Sequence, residues 1–158
     1  MLTAKSPDDL PNQDLLLSLS GLDFMQAVLN GTLPRPPISV GLNYKLHSVE
    51  DGRVVFHGAP GFAHTNPMGG VHGGWYGTLL DSCMACAVMT KVPKGHFYTT
   101  LEYKVNITRA IPLDTQIAAI GQTDHAGRST SVAHGEIRGI ADDRLYATGT
   151  TTCLIMTP

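Results

Sequence analysis

The chain has 158 residues, of which 42% are hydrophobic and only 15% charged, and a formal net charge of −2. That length suits one domain with a sizeable core. The charge balance and the lack of a Lys/Arg cluster argue against nucleic acid as a partner, and no apolar stretch approaches the ~20 residues of a membrane span. So few charges also suggest that part of the surface is covered by another subunit. Cys83, Cys86 and Cys153 show no disulfide spacing, and Met1–Asp9 lacks the basic-then-apolar layout of a signal peptide, so a cytoplasmic location is expected.

Residues up to about 19 read as a loosely held arm. Ser20 is suited to cap a short amphipathic helix over Leu22–Asn30, with Leu22, Met25, Val28 and Leu29 on one face and Gly31 as its stop. Pro34-Arg35-Pro36-Pro37 is a stiff connector that closes this N-terminal portion, residues 1–37. The main domain, 38–158, opens with alternating runs Ile38–Val49 and Arg53–Gly58 around the turn Glu50-Asp51-Gly52. A Pro- and Gly-rich loop, Ala59–Gly70, leads into a helix from about His72 to Thr90, stopped by Pro93 and Gly95. Four strand-like runs finish the chain: Phe97–Ala110, Thr115–Thr123, Ser129–Ile140 and Leu145–Met156. The pattern predicts an α+β fold in which five to six antiparallel strands wrap one long central helix.

Asp81 is the only Asp, Glu, Lys or Arg between Arg53 and Lys91, and it lies in the middle of that apolar helix. An unpaired carboxylate there costs several kcal/mol or takes up a proton near neutral pH. Its face of the helix, Gly74, Gly77 or Thr78, Asp81 and Ala85, is built of small residues, so something must approach closely. The segment Asn66-Pro67-Met68-Gly69-Gly70-Val71-His72-Gly73-Gly74 brings dense glycine to the helix start, where free N–H groups and the helix dipole suit a polarised carbonyl oxygen. A tight turn packed on the sheet would explain the same glycines. Gly73 and Asp81 are eight residues apart, or ~12 Å along a helix. Groups so separated cannot serve one reaction within one chain, so a shared site would draw them from two antiparallel helices.

Other signals are weak. Cys83-Met84-Ala85-Cys86 lies mid-helix and reads as buried small hydrophobes. There is no Gly-x-Ser-x-Gly elbow, no phosphate-loop or dinucleotide fingerprint, and no helical His pair for a metal.

The spacing Asn66-(x5)-His72-Gly73-Gly74…Asp81, with strands in this order, resembles the hotdog-fold acyl-CoA thioesterases of the phenylacetate-degradation type, over about residues 38–156. The resemblance implies a homodimer, often a homotetramer, that hydrolyses an acyl-CoA at the dimer interface, with no cofactor beyond the CoA of its substrate. It implies that the Gly73 N–H polarises the thioester carbonyl, that the partner's Asp81 acts as nucleophile or general base, and that Asn66 and His72 assist. A hydroxyl on the next strand completes such sites, and Thr100 aligns best, with Thr99 one register step away. Ala85 departs from relatives that carry a hydroxyl there. The acyl pocket is expected from Phe62, Met68, Trp75, Tyr98 and Leu79, the last of which also reads as ordinary core. Arg109, Lys104 and the turn carrying Arg128, Ser129 and Thr130 are the candidates for CoA phosphates. The rival readings are a hydratase or dehydratase on acyl thioesters, and a non-catalytic acyl-CoA-binding module.

Overall fold

A computed structural model describes residues 2–158. Among them, six strands form one antiparallel sheet: β1 (Tyr44–Glu50), β2 (Arg53–Gly58), β3 (Phe97–Ile107), β4 (Ile117–Ala126), β5 (Thr130–Gly139) and β6 (Leu145–Met156), in the order β1-β2-β4-β5-β6-β3. The helices are α1 (Gln13–Ser18), α2 (Gly21–Asn30), α3 (Ile38–Gly41) and α4 (Gly73–Met89). The sheet curls around α4 as the expected hotdog arrangement requires, and 11 of that helix's 17 residues are buried, which is why its sequence is apolar on every side.

Close approach sets the glycines of the sheet. A Cβ on Gly121 of β4 would lie 2.1 Å from the Cys83 carbonyl oxygen, so only glycine lets the strand rest on the helix backbone. β3 is an edge strand with a register break between Thr100 and Glu102 against β6. The extra residue, Leu101, is turned outward at 57% exposure, and both Thr100 and Tyr103 reach α4.

Two expectations need correction. The N-terminal portion is not a loose arm. Thr3 bridges Arg35, Gly95 N–H donates to Leu17, and Gly21 N–H donates to Val92 O at 2.9 Å. The amphipathic face of α2 buries Met25 and Val28 in the main core. Ile38–Gly41 is a helical turn rather than the start of a strand, since Pro36-Pro37 presets a helix entry and Ser39 Oγ bonds Pro36 O. Ile38 and Val40, whose alternation suggested a strand, are exposed.

A Cβ at Gly21 would fall 1.7 Å from Met89 O, where the extension meets the end of α4. Gly21→Ala is therefore expected to cost about 1–3 kcal/mol, as overpacking does. Denaturant unfolding should show the loss, and hydrogen exchange should place it in residues 21–30. An unaltered midpoint would disprove tight docking.

Candidate active site

The loop ahead of α4 is organised by Asn66. Its N–H donates to Gly70 O at 2.8 Å, and its carbonyl accepts from Gly69 N–H, with Gly69 at φ +81°. Its side-chain Oδ1 accepts from the N–H groups of Met68 (2.9 Å) and Gly70 (3.2 Å). The Oδ1 is thus committed to the loop, and what Asn66 has left to offer a ligand is its NH₂. His72 caps the helix by accepting the Gly74 N–H on Nδ1 at 2.9 Å, which puts a neutral ring's proton on Nε2. His72 N–H in turn bonds His64 O. Gly73 N–H, the first of the helix, takes none of the acceptors among the described residues.

Two turns further on, Asp81 is half-buried, and Thr100 Oγ1 donates to its Oδ1 at 3.1 Å. Desolvation pushes its pKa above the usual carboxylate value, and the Thr100 bond opposes the shift. The structure therefore brings Thr100, rather than Thr99, onto the acid. Between the two groups, Gly77 lies under the Tyr103 ring, 3.4 Å from where a Cβ would sit.

Within one chain these groups do not converge. Gly73 adjoins Ile107 at one end of β3, while Asp81 adjoins Thr100 toward the other. The suggested phosphate contacts divide the same way. The Arg128-Ser129-Thr130 turn lies across β6 from Tyr98, because Ser129 O accepts from Ile155 N–H and Tyr98 pairs with Ile155. Arg109 follows the far end, its N–H on Tyr146 O. Lys104 lies between them, exposed, on β3.

A cavity of about 360 Å³ reaches Ser82, the residue after Asp81, and is walled by Leu16, Phe24 and Val28 of the extension on one side and Ser82, Cys86 and Tyr98 on the other. Of the side chains expected to form an acyl pocket, Tyr98 alone borders it. Leu79 is wholly buried core, and Trp75 is buried with its indole N–H on Leu42 O. Phe62 and Met68 stand 83% and 91% exposed on the loop before α4. Sequence reasoning missed Leu16, Phe24 and Ser82. The available signal was the amphipathic face of the first helix, which had no assigned partner. Burial raises both helix thiols, that of Cys86 to about 12, so they are neutral and not redox-poised.

Among the described residues no three His, Cys, Asp or Glu side chains gather as a metal would need, and no helix is long and apolar enough to cross a membrane.

The family model for the thioesterase superfamily matches residues 68–146, half of the chain. No curated protein matches the sequence. Among solved structures, a phenylacetic acid degradation-related protein of Ralstonia eutropha JMP134 is 26% identical, covering 83% of this chain and 98% of its own, with a TM-score of 0.75. A hypothetical thioesterase of Streptococcus pneumoniae TIGR4, crystallised with coenzyme A, is 28% identical over 76% of this chain and 91% of its own, with a TM-score of 0.68. A thioesterase family protein of Silicibacter pomeroyi shares the fold at 24% identity, covering 85% and 99% of the two chains, with a TM-score of 0.75.

Because the folded state raises the pKa of Asp81, its contribution is most favourable below the unfolded pKa and is lost as pH rises through the folded one. Asp81→Asn should therefore raise the thermal midpoint at neutral pH, with the gain shrinking as the pH is lowered. Melts across this range would show it, and an equal or lower midpoint at neutral pH would contradict the desolvation account.

Proposed function

This chain belongs to the thioesterase superfamily, and from that premise we propose that it hydrolyses an acyl-CoA thioester at a site shared by two subunits. The observation that carries the reading is Asp81, a lone, partly desolvated carboxylate hydrogen-bonded to Thr100 and to no histidine. Within one chain no histidine is bonded to Asp81, and a module that merely binds has no use for a desolvated acid. The 28% identical relative crystallised with coenzyme A supports CoA as the thiol carrier.

The geometry favours pairing of two β3 edges. β3 has 11 residues, lacks a neighbour on its outer side among the described residues, and exposes Leu101, Tyr103 and Ile107. Gly77 lies four residues from both Gly73 and Asp81, under Tyr103. A two-fold axis through that point would bring Gly73 of the partner subunit to Asp81. It would also bring the partner's Arg109 to the end of the sheet that carries Arg128, Ser129 and Thr130, gathering the groups suited to CoA phosphates. A homodimer follows from this reading, and a dimer of dimers is compatible with it.

In such a site the helix-start N–H of the partner's Gly73 polarises the thioester carbonyl, and the dipole of that helix favours the oxyanion. Asn66 donates through its NH₂, because its oxygen is occupied. The Asp81 carboxylate either takes a proton from water as the water adds to the carbonyl carbon, or adds itself and is freed by water. In both routes the C–S bond breaks, the thiolate of CoA leaves and takes up a proton, and the free acid remains. His72, with its proton on Nε2, holds the oxyanion loop and can donate toward the leaving sulfur. Aryl, arylacetyl and medium-chain acyl groups are the substrate classes considered. The reading places the enzyme in the cytoplasm.

Asp81→Asn should lower kcat by about 10²–10⁴, the usual worth of a positioned acid or base. In the wild type, kcat/KM should fall on the acid side through a pKa above the ordinary carboxylate value. Thr100→Val should move that limb to higher pH, since it removes the bond that favours the ionised form. Thiol release followed with a thiol-reactive dye measures both, and full activity in Asp81→Asn would defeat the mechanism.

The shared site has its own test. Gly73→Pro deletes the N–H at a helix position that tolerates proline, and it should abolish activity, as Asp81→Asn does. Mixed and reassociated, the two inactive variants should form heterodimers with one intact site and regain turnover. No recovery despite heterodimer formation would mean that the two groups do not work across the interface.

A further inference from the structure

The cavity that reaches Ser82 and Tyr98 has a roof that lies outside the residues matched by the family model, 68–146, since Leu16, Phe24 and Val28 belong to α1 and α2. We infer that this cavity is the acyl chamber, that it takes a largely apolar aryl or medium-chain acyl group, and that Phe24 and Val28 set the length it accepts. This assignment rests on the hydrolase reading above.

Position is the first argument. Tyr98 borders the cavity, and Thr100, two residues along the same face of β3, holds Asp81. Two strand residues span about 7 Å. On α4 the cavity is bordered by Ser82, Cys86 and Met89, spaced four and three residues apart, a stripe that begins next to Asp81. A carbonyl carbon held at Asp81 therefore has the chamber within one short acyl segment.

Chemistry is the second. Several of the polar side chains at the walls are already partnered. Tyr44 and Ser82 hydroxyls bond each other at 3.0 Å, Arg35 Nε donates to Thr3 Oγ1 at 2.9 Å, and Ser39 Oγ donates to Pro36 O at 2.8 Å. The Cys86 thiol is neutral. The polar groups left over are the Tyr98 hydroxyl and the rest of the Arg35 guanidinium, while most of the lining, Leu16, Phe24, Met25, Val28, Leu46 and Phe56 among it, is hydrocarbon and favours an apolar tail.

Size is the third. About 360 Å³ is at the small end of ligand pockets, which run from about 300 to 1,000 Å³. It suits one aromatic ring or a medium chain. The exposed Phe62 and Met68 enclose no such space in this chain.

The test compares kcat/KM by thiol release for acetyl-, hexanoyl-, decanoyl- and phenylacetyl-CoA. Wild-type enzyme should prefer the larger groups to acetyl. Val28→Phe narrows the roof and should lower the decanoyl-to-acetyl ratio by about tenfold or more, since each methylene in an apolar pocket is worth about 10–200-fold. Phe24→Ala opens the roof and should raise the decanoyl-to-hexanoyl ratio, so a misfolded Val28→Phe, seen in its melt, does not spare the proposal. Unchanged ratios in folded variants, with hydrolysis intact, would overturn the chamber and leave the hydrolase reading standing. No thiol release from any of the four by the wild type would overturn the hydrolase reading, and the chamber with it.

Discussion

The fold depends on burying α4, apolar on every side, while leaving its one carboxylate reachable. A sheet can curl around a helix only so far, and here six strands leave two seams. One runs along the outer edge of β3, which presents Tyr103 over Gly77. The other runs beside β1, where Ser82, Cys86 and Met89 would meet water if the N-terminal helices did not cover them. Asp81 sits between the two, with Thr100 as its hydroxyl partner. Its raised pKa is a consequence of the partial burial that this placement brings.

The central helix was legible from the sequence because an all-round apolar pattern and a capping His-Gly-Gly leave few other structures for that stretch. The hairpins were legible from their turn residues, and their ends moved by only a few positions. Ile38–Gly41 misled because Ile38, Val40 and Leu42 alternate like a strand, whereas the preceding prolines preset a helical entry. Asp81 stood out by composition alone. Its hydroxyl partner was legible as Thr100, one register step from Thr99, and Thr100 is the residue that bonds it, although the bulge at Leu101 that follows was announced by no local pattern.

The acyl pocket was the least legible part. Its walls come from α1, α2, the start of the sheet and both ends of the α4–β3 connection, which are far apart in sequence. Apolar and aromatic residues near the glycine-rich loop are what the sequence offered for that role. Trp75 and Leu79 are needed to fill the core under that loop, and Phe62 and Met68 face outward. The amphipathic face of Leu22–Asn30 carried the only local trace of that roof, and its partner is set by tertiary packing that no local pattern announces.

The two seams explain how one carboxylate can be both desolvated and usable. A carboxylate buried in hydrocarbon alone would stay protonated at neutral pH, and one open to water would be a weak base. At Asp81 partial burial supplies the desolvation, while in the proposed dimer the β3 edge supplies the approach for polar donors. Because those donors sit at a helix start eight residues from the acid, the same chain cannot bring them there without breaking α4. In the proposed dimer, pairing two copies about Gly77 satisfies both needs with no change of fold, and a residue without a side chain at that crossing leaves the helices the closest approach beneath the Tyr103 ring.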